Sequence, residues 1–326
     1  MDEILFVSGD LRNPVCNYMF KDVLECEKYK SFSNILNEEN AAVKMIKRLV
    51  FSQKGYNLQK MLKVDLKSIV LDNFISLKSY HFQKNITYKV IIVSTVLEYY
   101  PLKYLVYLYN NFEIRFYLVL IDSINTEISS SSKRALGTLP FEKVYSFDSD
   151  DCKEFGFQYT NFMYSWVKPK KSSRQRSDIY FVGHDKGRKE MIEAIYLNMK
   201  KNGINCDFTI NGTDVEDVLD GCYRNRPLTY QDIIDEIQNT NCILEVLQEG
   251  QAGVTLRYYE ALLYGKKLLT NNQRVKNLPF YTTNQFQVFN RTTDIDVKWL
   301  SDNLGFSQCP RDYFSPLKII QEIETL

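Results

Sequence analysis

From Cys242 to Thr270 an apolar run, a glycine-bearing turn, a helical stretch and a second apolar run follow one another without a break. Cys242-Ile-Leu-Glu-Val-Leu247 has the length and character of a buried strand. A turn containing Gly253 opens a helix that ends at Gly265, and Lys267–Thr270 is a second short strand. Two buried strands joined by a helix form a strand–helix–strand unit, the building block of sheets covered by helices on their faces. The first turn of such a helix carries free backbone N–H groups and the positive end of the helix dipole, which suit a phosphate. Thr255 and Arg257 stand at the same end and offer a hydroxyl and a guanidinium fork. Glu260, seven residues past Gly253, lies about one turn further in, where a carboxylate can accept hydrogen bonds from a ribose. The alternative is an ordinary strand–helix–strand unit with a solvated arginine and glutamate. Convergence of several polar groups on one helix start favours a nucleotide-sugar site.

A second constellation lies in Val182-Gly-His-Asp-Lys-Gly-Arg188, after the strand expected at Asp178–Val182. Gly183 and Gly187 permit close approach of the backbone to a ligand. Lys186 and Arg188 flank a helix start, where two cations can neutralise a diphosphate leaving group. His184 is one of only two histidines and a candidate proton shuttle or hydrogen-bond partner of the donor. No Gly-x-Gly-x-x-Gly run is present, so the nicotinamide and flavin fingerprint is missing.

The run from Gly253 through Glu260-Ala-Leu and Gly265-Lys-Lys-Leu-Leu-Thr270 resembles the donor-binding region of GT-B glycosyltransferases. Phe181–Arg188 and Gln251–Ala261 together are similar to segments of the bacterial surface-polysaccharide and lipopolysaccharide type of that family. The resemblance implies two Rossmann-like, doubly wound parallel-sheet domains facing a cleft. It makes Gly183, Lys186, Arg188, Gln251, Gly253, Thr255, Arg257 and Glu260 the donor-binding set. Many retaining members carry a second glutamate eight positions before the ribose-binding one; here that position is Ala252, so a retaining mechanism is not supported.

With 326 residues the chain exceeds what one hydrophobic core usually serves. Its 44% hydrophobic and 25% charged fractions are ordinary globular values, and a net charge of +1 argues against nucleic acid held by bulk electrostatics. Seven scattered cysteines without close pairs read as reduced thiols of a cytosolic protein. The start, Met1-Asp-Glu-Ile-Leu, has acids where a signal peptide needs bases, and Tyr88–Leu120 is too broken by charge to span a bilayer.

Strand–helix alternation runs in two blocks. Glu3–Ser8, Tyr88–Thr95, Ile114–Ile121 and Lys143–Phe147 read as strands, with helices at Asn13–Glu27, Glu38–Gln53 and Leu102–Asn110. The segment Ser146–Phe157 is similar to the interdomain crossing of the family. Lys168–Arg176 reads as a polar hinge. The expected division is a first, acceptor-side domain at 1–167, a linker at 168–177, a nucleotide-sugar-binding domain at 178–315 and a terminal helix at 316–326 returning to the first domain.

A general base for inverting transfer must come from the first domain. Asp10, directly after the first strand, is the best-placed carboxylate, and Glu98 is second. Asp148-Ser-Asp150 spells a metal motif but falls in the segment similar to the crossing, so no metal and no cofactor are expected. The leading function is transfer of a sugar from a nucleotide-sugar donor to a saccharide or lipid-linked oligosaccharide acceptor. The resemblance implies surface-polysaccharide assembly at the cytoplasmic face of the membrane. Two alternatives stay open: a polyol-phosphate or sugar-phosphate transferase on the same scaffold, and a non-catalytic GT-B-like binding partner.

Overall fold

Alternation of buried strands with amphipathic helices is what the backbone adopts throughout the described residues, namely 2–9, 15–33, 55, 57, 58, 61, 76–98, 100–124, 130–170, 175–184, 186–211, 228–248, 253–302, 305 and 309–326 of this computed structural model. They divide into two units, Met1–Trp166 with Phe314–Leu326, and Val167–Tyr313. The helix expected at Glu38–Gln53 lies outside the described residues.

The first unit holds six strands, β1 (Asp2–Ser8), β2 (Lys30–Ser33), β3 (Thr87–Val93), β4 (Glu113–Val119), β5 (Phe141–Ser146) and β6 (Gln158–Tyr159). All adjacent pairs are parallel, in the order β2-β1-β3-β4-β5-β6. Tyr88 to Val93 of β3 are buried without alternation, the mark of a central strand covered on both faces. Short helices α1 (Val15–Met19) and α2 (Lys21–Leu24) follow β1, and α3 (Leu102–Asn111) follows β3. Leu105 and Leu108 of α3 join Val90, Ile92 and Leu118 in one core.

The stretch from Ser146 to Phe157 does not leave this unit. After α4 (Ser130–Leu136) and β5, it forms α5 (Ser149–Phe155) and leads into β6. The acids explain why. Asp148 caps α5, accepting the Asp150 and Asp151 N–H groups at 2.8 and 3.3 Å. Asp151 is itself buried and receives the Ser123 hydroxyl and the Ile124 N–H at 3.0 and 2.8 Å. Gly156, at φ 71°, ends the helix. Three acids beside a helix start are a capping signal, and that is how Asp148-Ser-Asp150 is spent.

The second unit has five parallel strands, β7 (Ser177–His184), β8 (Cys206–Asn211), β9 (Thr240–Glu245), β10 (Lys267–Thr270) and β11 (Phe286–Val288), in the order β11-β10-β9-β7-β8. Between them run α6 (Lys189–Lys201), α7 (Tyr230–Gln238), α8 (Leu256–Leu263) and, after β11, α9 (Val297–Ser301). Ile192, Ile195, Tyr196 and Met199 fall on one face of α6 by their three- and four-residue spacing. They pack against Ile179, Phe181, Cys242 and Leu244 from the same face of the sheet. Thr229 opens α7 with a capping box: its hydroxyl accepts the Asp232 N–H at 3.2 Å, and Asp232 accepts the Thr229 N–H at 2.9 Å. Residues 168–170 belong to this unit, where the Lys170 N–H donates to Asp235 at 2.7 Å.

Lys266 and Lys267, at the start of β10, serve the opposite, amino edge of this sheet. Lys266 is buried and donates to the Gln238 and Thr240 carbonyls at 2.7 and 2.9 Å, closing the C-terminus of α7. Lys267 does the same for α9, donating to the carbonyls of Trp299, Leu300 and Asp302.

The last helix, α10 (Leu317–Glu324), belongs to the first unit. Ile319, Ile320 and Ile323 are buried there, Tyr145 donates to Glu322 at 3.1 Å, and Lys28 pairs with Glu324 at 2.7 Å. Among the described residues no helix is long and apolar enough to cross a membrane.

Burial, helped by Arg176, pushes the Lys266 ammonium down to about 8 from 10.5. Between those values the unfolded chain holds more protons than the folded one, so stability contributed by this group rises with pH there. The melting temperature of the wild type should climb from pH 8 to pH 10.5 relative to Lys266→Met in thermal unfolding. Parallel curves for the two proteins would show that the folded environment leaves this lysine unperturbed.

Candidate functional site

Both sheets share one connectivity. Counted from its own first strand, each runs second, first, third, fourth, fifth, with a sixth strand added in the first unit, so strand order reverses between the first and third strands. In open parallel sheets the connections diverge at that point and leave a crevice beyond the carboxyl ends of the strands. In the second unit the reversal lies between β7 and β9.

A pocket of about 230 Å³ sits there, lined among others by Phe181 of β7, Arg188 beyond it, Glu245 and Gln248 at the end of β9, and Thr255 and Arg257 at the head of α8. Pockets for whole small ligands run to roughly 300–1,000 Å³. This one has the size for a compact charged group and presents two guanidinium side chains to it.

Buried carboxylates fix the cations. Glu260 has no exposed surface; one oxygen accepts the Tyr230 hydroxyl at 2.5 Å and the other accepts Arg257 Nη1. Arg257 retains 18% of its side-chain exposure. Among the described residues only its Nη1 is hydrogen-bonded, so the remaining guanidinium hydrogens are available to the pocket. Burial works against the Arg257 charge, but Glu260, with the Tyr230 and Tyr180 hydroxyls, outweighs it and holds the guanidinium above its ordinary range. Glu260 was expected to meet a ribose. In the structure it stands behind Arg257, one oxygen accepting Tyr230 and the other Arg257, with no surface exposed.

Thr255 also differs from expectation. It is the N-cap of α8, accepting the Arg257 N–H at 3.2 Å, and it gives its own hydrogen to Glu245 Oε1. The Thr270 hydroxyl donates to Glu245 Oε2 and accepts the Asn272 N–H at 2.9 Å. Glu245 is 3% exposed, and burial pushes its carboxyl above the usual carboxylate range, with Thr255, Thr270, Arg257 and Arg188 pulling the other way. Sequence reasoning passed over Glu245 as one residue of an apolar strand. The signal was a single charge in Cys242–Leu247 followed by threonines at 255 and 270.

Arg188 faces the pocket with its guanidinium tied to backbone. Nε and Nη2 donate to the His184 carbonyl at 3.2 and 2.9 Å, and Nη1 donates to the Val246 carbonyl, so the side chain bridges the ends of β7 and β9. It lies over the Phe181 ring at 5.6 Å. Gly183 is needed for this, because a Cβ there would come within 2.9 Å of Arg188 Nη2 and 3.3 Å of the Phe181 ring. The close approach at Gly183 is by Arg188. Lys186 and Gly187 form an exposed turn with φ values of 48° and 79°, and His184 is exposed as the last residue of β7. Gly253 has open space around it, and its carbonyl accepts from Asn272 at 3.2 Å. Gln251 lies outside the described residues, as does Asp10.

In the first unit the reversal falls between β1 and β3. Gly9 follows β1 at φ 122°, and its carbonyl accepts the Thr95 hydroxyl at 3.1 Å. Glu98 closes the 3₁₀ turn Ser94–Glu98; its side chain is outside the described residues. Among the described residues no three His, Cys, Asp or Glu side chains gather as a metal site.

No protein-family model matches the chain, and no curated protein sequence matches it significantly. Solved structures do. A trehalose-6-phosphate synthase, OtsA, superposes with a TM-score of 0.53 at 11% identity over 92% of this chain and 90% of that one. The glycotransferase of kitacinnamycin gives 0.50 at 11% identity over 99% and 98%. The fold is that of the GT-B glycosyltransferases. At this identity the likeness is one of fold.

The buried pair makes a stability prediction. Glu260→Ala strands the Arg257 charge and should lower the unfolding free energy by about 3 kcal/mol, whereas Tyr230→Phe, which removes one donor, should cost about 1.5 kcal/mol. Urea denaturation followed by circular dichroism measures both. A Glu260→Ala protein as stable as the wild type would mean that the carboxylate is solvated and free for a ligand.

Proposed function

We propose that the second unit binds the diphosphate of a nucleotide-sugar at the head of α8 and that the chain is a glycosyltransferase. The observation that carries this is the pocket at the strand-order reversal, where Arg257, Arg188 and the first turn of α8 converge on one small cavity. Diphosphate is the leaving group when a nucleotide-sugar gives up its sugar. Charge develops on it as the glycosidic bond breaks, and cations fixed in advance stabilise that charge without reorganisation. Arg257, braced by Glu260, supplies the hydrogen bonds. Arg188, held across two strand ends, supplies field more than contact. The positive end of the α8 dipole adds to that field.

The fold likeness and the resemblance of Phe181–Arg188 and Gln251–Ala261 support the same function. On that resemblance the acceptor is a saccharide or lipid-linked oligosaccharide of surface-polysaccharide assembly. The transfer is metal-independent, the arginines taking the part of a cation. The base is a carboxylate of the first unit, Asp10 ahead of Glu98.

Thermal-shift screening of UDP, GDP, CDP and dTDP should find one that raises the melting temperature, and calorimetry in EDTA should give the same affinity as in Mg²⁺. Arg257→Lys keeps a cation beside Glu260 but loses the fork; it should weaken that nucleotide by roughly 10- to 100-fold, the worth of one or two charge-assisted hydrogen bonds. Unchanged affinity in a folded Arg257→Lys protein would remove Arg257 from the site, and strict dependence on a divalent cation would overturn the metal-free mechanism.

A further inference from the structure

The hydroxyl hydrogens around Glu245 are all committed, which matters on the reading that this pocket takes a phosphate. A threonine hydroxyl has one hydrogen and two acceptor lone pairs. Thr255 spends its hydrogen on Glu245 Oε1 and accepts the Arg257 N–H; Thr270 spends its hydrogen on Oε2 and accepts the Asn272 N–H. While Glu245 accepts on both oxygens, neither hydroxyl can donate to an anion. The charge itself is also unfavourable, since a carboxylate in the wall of the pocket repels a phosphate.

We propose that Glu245 is a positioning residue, and that the pocket takes up its phosphate together with one proton, which lodges on Glu245 Oε1 and turns the Thr255 hydroxyl hydrogen toward the ligand. The balance is complete. The proton comes from solvent, the new Oε1–H donates to Thr255 Oγ1, and Oγ1 still accepts the Arg257 N–H on its second lone pair. Its own hydrogen is then free for a phosphate oxygen. Thr270 keeps its bond to Oε2.

Burial decides which threonine is released. Thr270 is fully buried, whereas Thr255 is half-buried and lines the cavity. The groups facing Glu245 agree. Arg257 from α8 and Arg188 from the head of α6 are the charged neighbours, and β10 presents the neutral Thr270. The two arginines favour the ionised carboxylate in the free protein; a bound phosphate competes for them and favours the protonated form. A raised acid titration makes anion affinity fall as the pH climbs through it.

Isothermal calorimetry with the tightest of UDP, GDP, CDP and dTDP, in buffers of different ionisation enthalpy near pH 7, measures protons taken up on binding. The ligand's own ionisation is common to all variants, so the difference between proteins is the readout. The wild type should take up a larger fraction of a proton than Glu245→Gln. Its affinity should fall by up to about tenfold per pH unit more steeply than that of the variant. Thr255→Val, which keeps Glu245 but has no hydroxyl to release, should bind more weakly than the wild type. Equal uptake in the wild type and in folded Glu245→Gln overturns the role of Glu245 and leaves nucleotide binding intact. Failure of the wild type to bind any of the four overturns the underlying function instead.

Discussion

The carboxyl edge of the second sheet is organised by one buried ion pair, Arg257 with Glu260. A guanidinium at the head of a helix, where the dipole is already positive, is a costly arrangement by itself. Glu260 offsets the cost from inside the helix, and Tyr230 reaches across from α7 to occupy the other oxygen. The result is a cation whose position is set by groups with no access to solvent. A long flexible side chain becomes a fixed electrostatic element, which is what stabilising a developing charge requires.

The same logic extends outward. Glu245 ties the end of β9 to the cap of α8 and to the end of β10, and Arg188 ties the end of β9 to the end of β7. Three strand ends and one helix start are thus joined by side chains of opposite charge around a cavity. The neighbouring Asn271 side chain accepts the Leu247 N–H at 2.8 Å and adds a further link between β9 and β10.

Much of this was legible in the chain. The β-branched and apolar runs mark β1, β3, β4, β7 and β10 within a residue or two, because these signals act over a few residues. The convergence of Arg188, Thr255 and Arg257 could be anticipated because strand-end turns of a parallel sheet share one edge. What could not be read was the partner of each side chain. That Tyr230, thirty positions away, donates to Glu260 is not visible in the sequence around it. Glu245 looks like a stray charge until Thr255 and Thr270 close on it. Asp148-Ser-Asp150 looks like a crossing or a metal motif until its N–H groups are found turning inward. Gly183 reads as a point of close approach to a ligand, whereas the group packed on it in the structure is Arg188 of the same turn. Pairings of this kind depend on which helix covers which face of the sheet, and periodicity does not carry that.

The most direct test is crystallographic. Crystals grown with the nucleoside diphosphate that binds should show its phosphates between Arg257, Arg188 and the first turn of α8, with Arg257 still paired to Glu260. Phosphates found elsewhere, or a Glu260 carboxylate swung away from Arg257 to meet the ribose, would contradict the central claim that this buried pair builds the site.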